Sequence, residues 1–312
     1  MSAPEFRPFG DEHMGEAAVL LASRHARHRA AEPLLADADP EEAIRAMRKQ
    51  DGVAGTVAVR GGKVVGYVVA EVGEHPYFDH FAWIGRAGHG AADAEVARDL
   101  YGAAAERWFE AGATRHFVLV PALSADLDPW YRLGFGHMHV EAIRESGGRP
   151  GDLPSGLTIR RGGRDDVDMA LRIDRFIHDH QRLPPSFGLI TLRPDEEARA
   201  DWIETLEDPS TGYFVAELNG HTVGHSLLYA PEPDLGVPAD AMYLASTATD
   251  PEVRGSGIGV ALTEHVLAWA EETGHPAVVT NWRMSNLLAE RFWRSRGFRP
   301  VFHRLHRVIG VG

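Results

Sequence analysis

Arg254-Gly255-Ser256-Gly257-Ile258-Gly259 is the stretch whose residue types point most directly to chemistry. Glycines let a backbone take unusual φ values and let a ligand come close. A helix starting behind them would leave several N–H groups unpaired at the positive end of its dipole, and an anion suits that place. Arg254 adds a fixed cation with a two-pronged donor fork. Together these residues read as a phosphate cradle. It is not a P-loop, which needs Gly-Lys-Ser/Thr, and the alternating glycines do not fit the dinucleotide fingerprint G-x-G-x-x-G. Candidate proton carriers are sparse. The strand before the cradle, MYLASTAT (242–249), holds no carboxylate. His225 sits in the adjoining hairpin strand and has the intrinsic pKa for base work, although a core or strand-face histidine held by a neighbour is the commoner reading of such a position. Asp240, just before the strand, could bind an amine or simply face water. His178 and His180 end a helix; Glu217, Tyr131 and Tyr243 cannot be placed from sequence.

The elements that must position the cradle follow from patterning. Residues 242–249 have the β-branched and apolar content of a mostly buried strand. Pro251 ends the ladder because it lacks an N–H. A helix follows, with Val260, Leu262, Val266 and Leu267 on its apolar side. Farther on, Val278–Thr280 reads as a short strand. Ser285 is expected to cap the helix of Leu287, Leu288 and Phe292, Gly297 to end it, and Phe298 to open a last strand.

Upstream, the pattern predicts a strand at 6–9 and helices from near Asp11 and over 40–50. A hairpin follows, Gly55–Arg60 and Val64–Val72 about Gly61-Gly62. A strand at 81–84, the turn GRAGHGAAD (85–93), a helix over 94–111 and strands at 117–120 and 137–143 complete the first half. Residues 145–156, rich in Gly and Pro, read as a linker. The order then repeats: strand 157–161, helices through Ile177 and over 194–206, and a hairpin at 212–218 and 222–229 about Asn219-Gly220. GTVAVRGGKVVGYVVAEV (55–72) matches GYFVAELNGHTVGHSLLY (212–229), and WYRLGFGHMHV (130–140) matches WRSRGFRPVFH (293–303). Two copies of one α/β domain are expected, 1–144 and 157–312.

The spacing R-x-x-G-x-G at 254–259, with Pro three residues before the Arg, resembles the acyl-CoA pyrophosphate loop of the GNAT N-acetyltransferase superfamily. A second segment of that family's pattern is present as Asn286, Ala289, Trp293 and Gly297-Phe298. The resemblance implies a mixed, mostly antiparallel twisted sheet flanked by helices in each copy. It implies that strands 242–249 and 277–281 of the second copy splay apart to admit the pantetheine arm. Acetyl-CoA would be held by Arg254 to Gly259, by strand backbone at Thr247, Ala248 and Thr249, and near Asn286 and Trp293. The family often places at the Trp293 position a Tyr that protonates the departing thiolate. Trp has only an indole N–H, so His225, Asp240 and Trp293 form an incomplete catalytic set. In the first copy, 85–93 keeps Arg86, Gly88 and Gly90 but not the spacing, and Leu123 stands where Asn286 does. That copy is expected to be degenerate, an arrangement similar in architecture to the tandem mycothiol synthases of the superfamily.

The implied activity is transfer of an acetyl group from acetyl-CoA to a small amine acceptor; a non-catalytic acyl-CoA-binding sensor is the alternative. Composition sets the remaining bounds. The 312 residues suit two domains, and no Cys is present for disulfides, thiolate nucleophiles or metal sites. The 17 His are scattered without metal spacing, so no metal is expected. A net charge of −13 disfavours nucleic acid. There is neither an 18-residue apolar run nor a secretory leader, so no membrane association and a cytoplasmic location are expected. A monomer or homodimer is compatible with all of this.

Overall fold

The computed structural model describes residues 3–50, 52–76, 78–188, 194–232 and 234–310. They form two compact units: 1–141 with 233–238 and 300–312, and 142–232 with 239–299. The last strand ends the second repeat in sequence yet belongs to the first unit.

The first unit contains β1 (Glu5–Pro8), α1 (Met14–Ala31), α2 (Pro40–Arg48), β2 (Val53–Arg60), β3 (Lys63–His75), β4 (Asp79–Ile84), β5 (His89–Ala91), α3 (Ala94–Glu110), β6 (Arg115–Pro121) and α4 (Ser124–Arg132). β7 (Gly136–Glu145) leads out of it. The second unit contains β8 (Leu157–Arg161), α5 (Val167–Arg182), α6 (Asp195–Glu207), β9 (Gly212–Leu218), β10 (His221–Tyr229), β11 (Met242–Thr249), α7 (Ile258–Glu272), β12 (Ala277–Arg283) and α8 (Leu287–Ser295). β13 (Arg299–Val308) returns to the first.

Strand order is β1-β2-β3-β4-β6-β13 in the first unit and β12-β11-β10-β9-β8 in the second, with β5 laid on β3. Only β4–β6 and β11–β12 are parallel among these neighbours. Each unit is therefore mixed but mostly antiparallel. Both hairpins turn as their sequences require: Gly61 and Gly62 have φ of 58° and 78°, Asn219 and Gly220 of 52° and 79°.

Apolar side chains cover both sheet faces in the first unit. Met14, Leu21, Ile44, Val57 and Val69 fill the side of α1 and α2. Val68, Ile84, Val96, Leu100, Trp108 and Trp130 fill the side of α3 and α4. In the second unit, Ala170 of α5 packs with Tyr213, Val215 and Leu227, and Trp202 and Leu206 of α6 close over them. On α7 the buried residues are Ile258, Leu262, Thr263, Val266, Leu267 and Ala270, while Val260, expected on the apolar side, is exposed. The stretch 145–156 is not a loose tether. Gly147 N–H donates to Leu267 O at 3.0 Å and Arg149 N–H to the Glu264 carboxylate at 2.8 Å, and a Cβ on Gly148 would strike Glu264 O at 1.8 Å.

Candidate functional site

β11 ends at Thr249, and Asp250 accepts from Glu252 N–H at 3.0 Å to open one 3₁₀ turn at Pro251–Val253. Ser256 closes back onto Val253 O through its hydroxyl at 2.6 Å. Gly255 and Gly257 have φ of 82° and 88°, values that an L side chain resists. α7 then begins at Ile258, with Gly257 as its N-cap. No side chain caps it, and its first turn carries no acid. Its first N–H groups and the positive end of the dipole thus face solvent beside Arg254, Gly255 and Ser256, all exposed. Ile258 is buried and anchors the turn, and Thr263 bonds Gly259 O at 2.8 Å.

The strand beside this turn is opened in two ways. β10 pairs with β11 as Leu227↔Ser246 and then Leu228↔Leu244, so Ala245 is the extra residue of a bulge. The parallel ladder with β12 runs only from Met242↔Val278 to Leu244↔Thr280. Thr280 Oγ1 donates to Leu244 O at 2.8 Å where it stops. From Ala245 to Thr249 no ladder pair joins β11 to β12 among the described residues. The inter-strand edge groups of Thr247 and Thr249 are therefore available to a ligand that enters the gap. This is the open edge that the family resemblance implied. The same groups, with the bare helix start, fit a diphosphate carrying an extended amide-bearing arm.

The expected catalytic residues fall apart. His225 is fully buried under α5 and α6: Tyr213 OH lies 3.3 Å from its Nδ1, Ser246 Oγ lies 3.0 Å from its Nε2, and the Trp202 ring centroid is 5.7 Å away. Burial pushes the imidazole down to about 4, so it is neutral at physiological pH. It reaches the gap only through Ser246, the residue after the bulge. Asp240 is exposed and lies before the far end of β11; its carbonyl accepts from His275 Nδ1 at 2.9 Å. Eight residues of strand, roughly 26 Å, separate it from the glycine turn. Trp293 is buried between Phe292 and Phe298, with ring centroids at 4.9 and 5.3 Å, and fills the core of the α8 end.

Asn286, not Ser285, is the N-cap of α8, and its Oδ1 accepts from Ala289 N–H and meets His180 Nε2, both at 3.2 Å. His178 lies 3.3 Å from Asp174 within α5. Glu217 is paired with Arg160 at 2.7 Å. Tyr131 is on the exposed side of α4 in the first unit. Tyr243 meets Asn281 across the last rungs of the ladder. Ser246, Tyr213 and Arg283, which the sequence did not single out for the site, stand beside the gap or behind it. Ser246 was hidden because a bulge cannot be read from the alternation, and the bulge decides which face it takes. Among the described residues no group of three or more His, Asp or Glu could hold a metal, and no helix is long and apolar enough to cross a membrane.

Comparison with known proteins agrees with this geometry. Residues 175–298 match the acetyltransferase (GNAT) family model. A mycothiol acetyltransferase from Thermobispora bispora is 32% identical over 151 residues, 47% of this chain and 48% of the relative, so the match spans about half the length of that curated relative. Among solved structures, a GCN5-related N-acetyltransferase from Sphaerobacter thermophilus aligns with 99% of this chain and 96% of its own at 18% identity and a TM-score of 0.65. A tandem GNAT protein from the clavulanic acid biosynthesis pathway aligns over 99% of both chains at 16% identity and a TM-score of 0.55. Residues 175–298 are thus similar to the acetyltransferase (GNAT) family, and the full length shares its fold with the tandem GNAT protein and the Sphaerobacter thermophilus structure.

Proposed function

We propose that the chain transfers the acetyl group of acetyl-CoA to a small amine, directly and in a ternary complex. The observation that carries this reading is the pairing of an uncapped helix start on a left-handed glycine with a bulged strand whose edge is open beside it. The first grips a diphosphate through backbone N–H groups. The second offers strand edge to the amides of the pantetheine arm. In the reaction the amine nitrogen forms a bond to the thioester carbon, the C–S bond breaks, the amine gives up a proton, and the thiolate takes one. A backbone N–H of the open strand would stabilise the oxyanion. Ser246 Oγ is the hydroxyl placed to pass the proton, with neutral His225 fixing its orientation and Tyr213 behind. An imidazole held at about 4 is a poor resting place for a proton, so His225 orients the relay and does not store the charge.

The residue set also bears a second reading. Trp293 is buried and cannot titrate, which favours a protein that binds acyl-CoA without turning it over. Titration with acetyl-CoA, then thiol release across a panel of amines, separates the two. Acceptor-dependent release establishes transfer. Saturable binding with no release from any amine establishes the sensor, and no binding removes both readings.

A further inference from the structure

Arg283 is the last residue of β12, three positions past the final pair with β11. It therefore lies on the strand that borders the gap, beyond the point where the two strands part. Its side chain crosses to α5, where Nε donates to Gln181 Oε1 at 2.9 Å. His225 and Ser246 face α5 and α6 too, so Arg283 and Ser246 flank the gap on one side of the sheet. The Gly188 backbone closes on the guanidinium, and a Cβ there would come within 3.3 Å of Arg283 Cζ. Burial pushes the guanidinium down, and no neighbouring acid pushes it back. The contrast with Arg86 is direct, since that buried arginine holds Glu141 and Asp234. Among the described residues no carboxylate lies within ion-pair distance of Arg283, and its two Nη groups have no partner. The C-terminal end of α5 lends partial negative charge, but a dipole end does not fill a two-pronged donor fork. A half-buried cation with its fork vacant costs stability unless a ligand supplies the anion.

We infer that Arg283 binds a carboxylate of the amine acceptor, so that the acceptor is an amino acid or a similar carboxylate-bearing amine. This rests on the acetyltransferase reading. The open fork faces the same side as the Ser246 hydroxyl, and an acceptor anchored there by its carboxylate presents its amine to the gap. Gln181 is a positioning residue, because it holds Nε and leaves both Nη groups for the ligand.

The test is a panel of α-amino acids, their carboxamides and aminoalkyl phosphates, assayed by thiol release from acetyl-CoA. Acids should exceed their amides in kcat/KM by roughly 30-fold or more, as a charge-assisted pair requires. Arg283→Gln should erase that preference by raising KM for acids, and Arg283→Lys should keep part of it. An unfolding midpoint no lower than that of the parent and an unchanged acetyl-CoA shift show that each variant is folded. Equal rates for acids and amides, a preference for phosphates, or an acid preference that survives Arg283→Gln would each overturn the assignment. If no amine is acetylated, the acetyltransferase reading fails by itself. Binding of an N-acetyl amino acid to the CoA-loaded protein then decides the anion site: saturable binding lost in Arg283→Gln sustains it, and no binding ends it.

Discussion

The turns at 85–93 and 254–259 occupy matching places in the two repeats, and both are rich in glycine after a conserved order of strand and hairpin. Their backbones are used in opposite senses. In the first unit β4 stays paired with β6 to its end, from Phe81↔Arg115 to Ile84↔Val118. The turn is then stitched into the sheet: Val69 N–H donates to Gly88 O at 2.7 Å, and His89–Ala91 pairs with β3 as β5. The buried Arg24 takes the carbonyls of Arg86 and His89. Asp93 caps α3 by accepting from Val96 N–H at 2.8 Å. Arg86 is paired with Glu141 and Asp234, so its charge too is taken up within the chain. In the second unit β11 leaves β12 after three rungs, and Gly257 caps α7 with no side chain at all. The two turns therefore differ less in glycine content than in whether their N–H groups are claimed within the chain. The same difference separates Asn286, whose side chain caps α8, from Leu123, which caps α4 with none.

Five substitutions or conditions break or sharpen that contrast. Gly257→Glu puts a side chain on a φ of 88° and a negative charge at the bare helix start. It should abolish acetyl-CoA binding, a loss of about 100-fold or more in Kd by calorimetry. Retained affinity would remove the second turn from consideration. Acid should act most on the first unit. His28 and His116 there, like His225 in the second, are held by burial down to about 4. A histidine kept neutral in the fold but free to protonate when unfolded leaves stability undiminished above pH 6.5. Stability then falls as pH drops from 6.5 towards 4, by roughly 2–3 kcal/mol for each such residue. Urea midpoints over that range should fall steadily, and hydrogen exchange should show the first unit opening at higher pH than the second.

Ser246→Ala should lower kcat by about 100-fold with the Kd for acetyl-CoA unchanged, and Ser246→Thr should restore most of it. A wild-type kcat in Ser246→Ala would show that the relay is structural. Arg86→Leu leaves Glu141 and Asp234 without their cation and should cost ~2–3 kcal/mol. The Kd for acetyl-CoA should not move; a tenfold change would mean that the first turn still contributes. Asp93→Ala should be the mildest, removing one cap at ~1 kcal/mol by thermal unfolding, with no gain of CoA binding.

Much of the frame was legible in the residues. Gly61-Gly62 and Asn219-Gly220 announced both hairpins because only such pairs take two left-handed φ values cheaply. The glycine turn announced the helix start behind it. Asp240 and Trp293 stand in different surroundings, one exposed and one buried. Asp240 is near β11 in sequence but at its far end in space, and Trp293 resembles a site residue by position while its ring belongs to the core. Glu217 and Tyr131 went elsewhere too, one to Arg160 and one to a solvent face.

The sequence by itself determined the repeat, the order of elements and the different glycine spacing of the two turns, since these depend on local φ preferences and on periodicity. Tertiary structure alone decided three things. It sent β13 into the first unit, where it pairs with β6. It placed a bulge at Ala245, which turns Ser246 towards His225. It left Arg283, at the end of β12, with no carboxylate in ion-pair range among the described residues. Each depends on which distant strand or helix supplies the partner, and a chain read one residue at a time does not carry that choice.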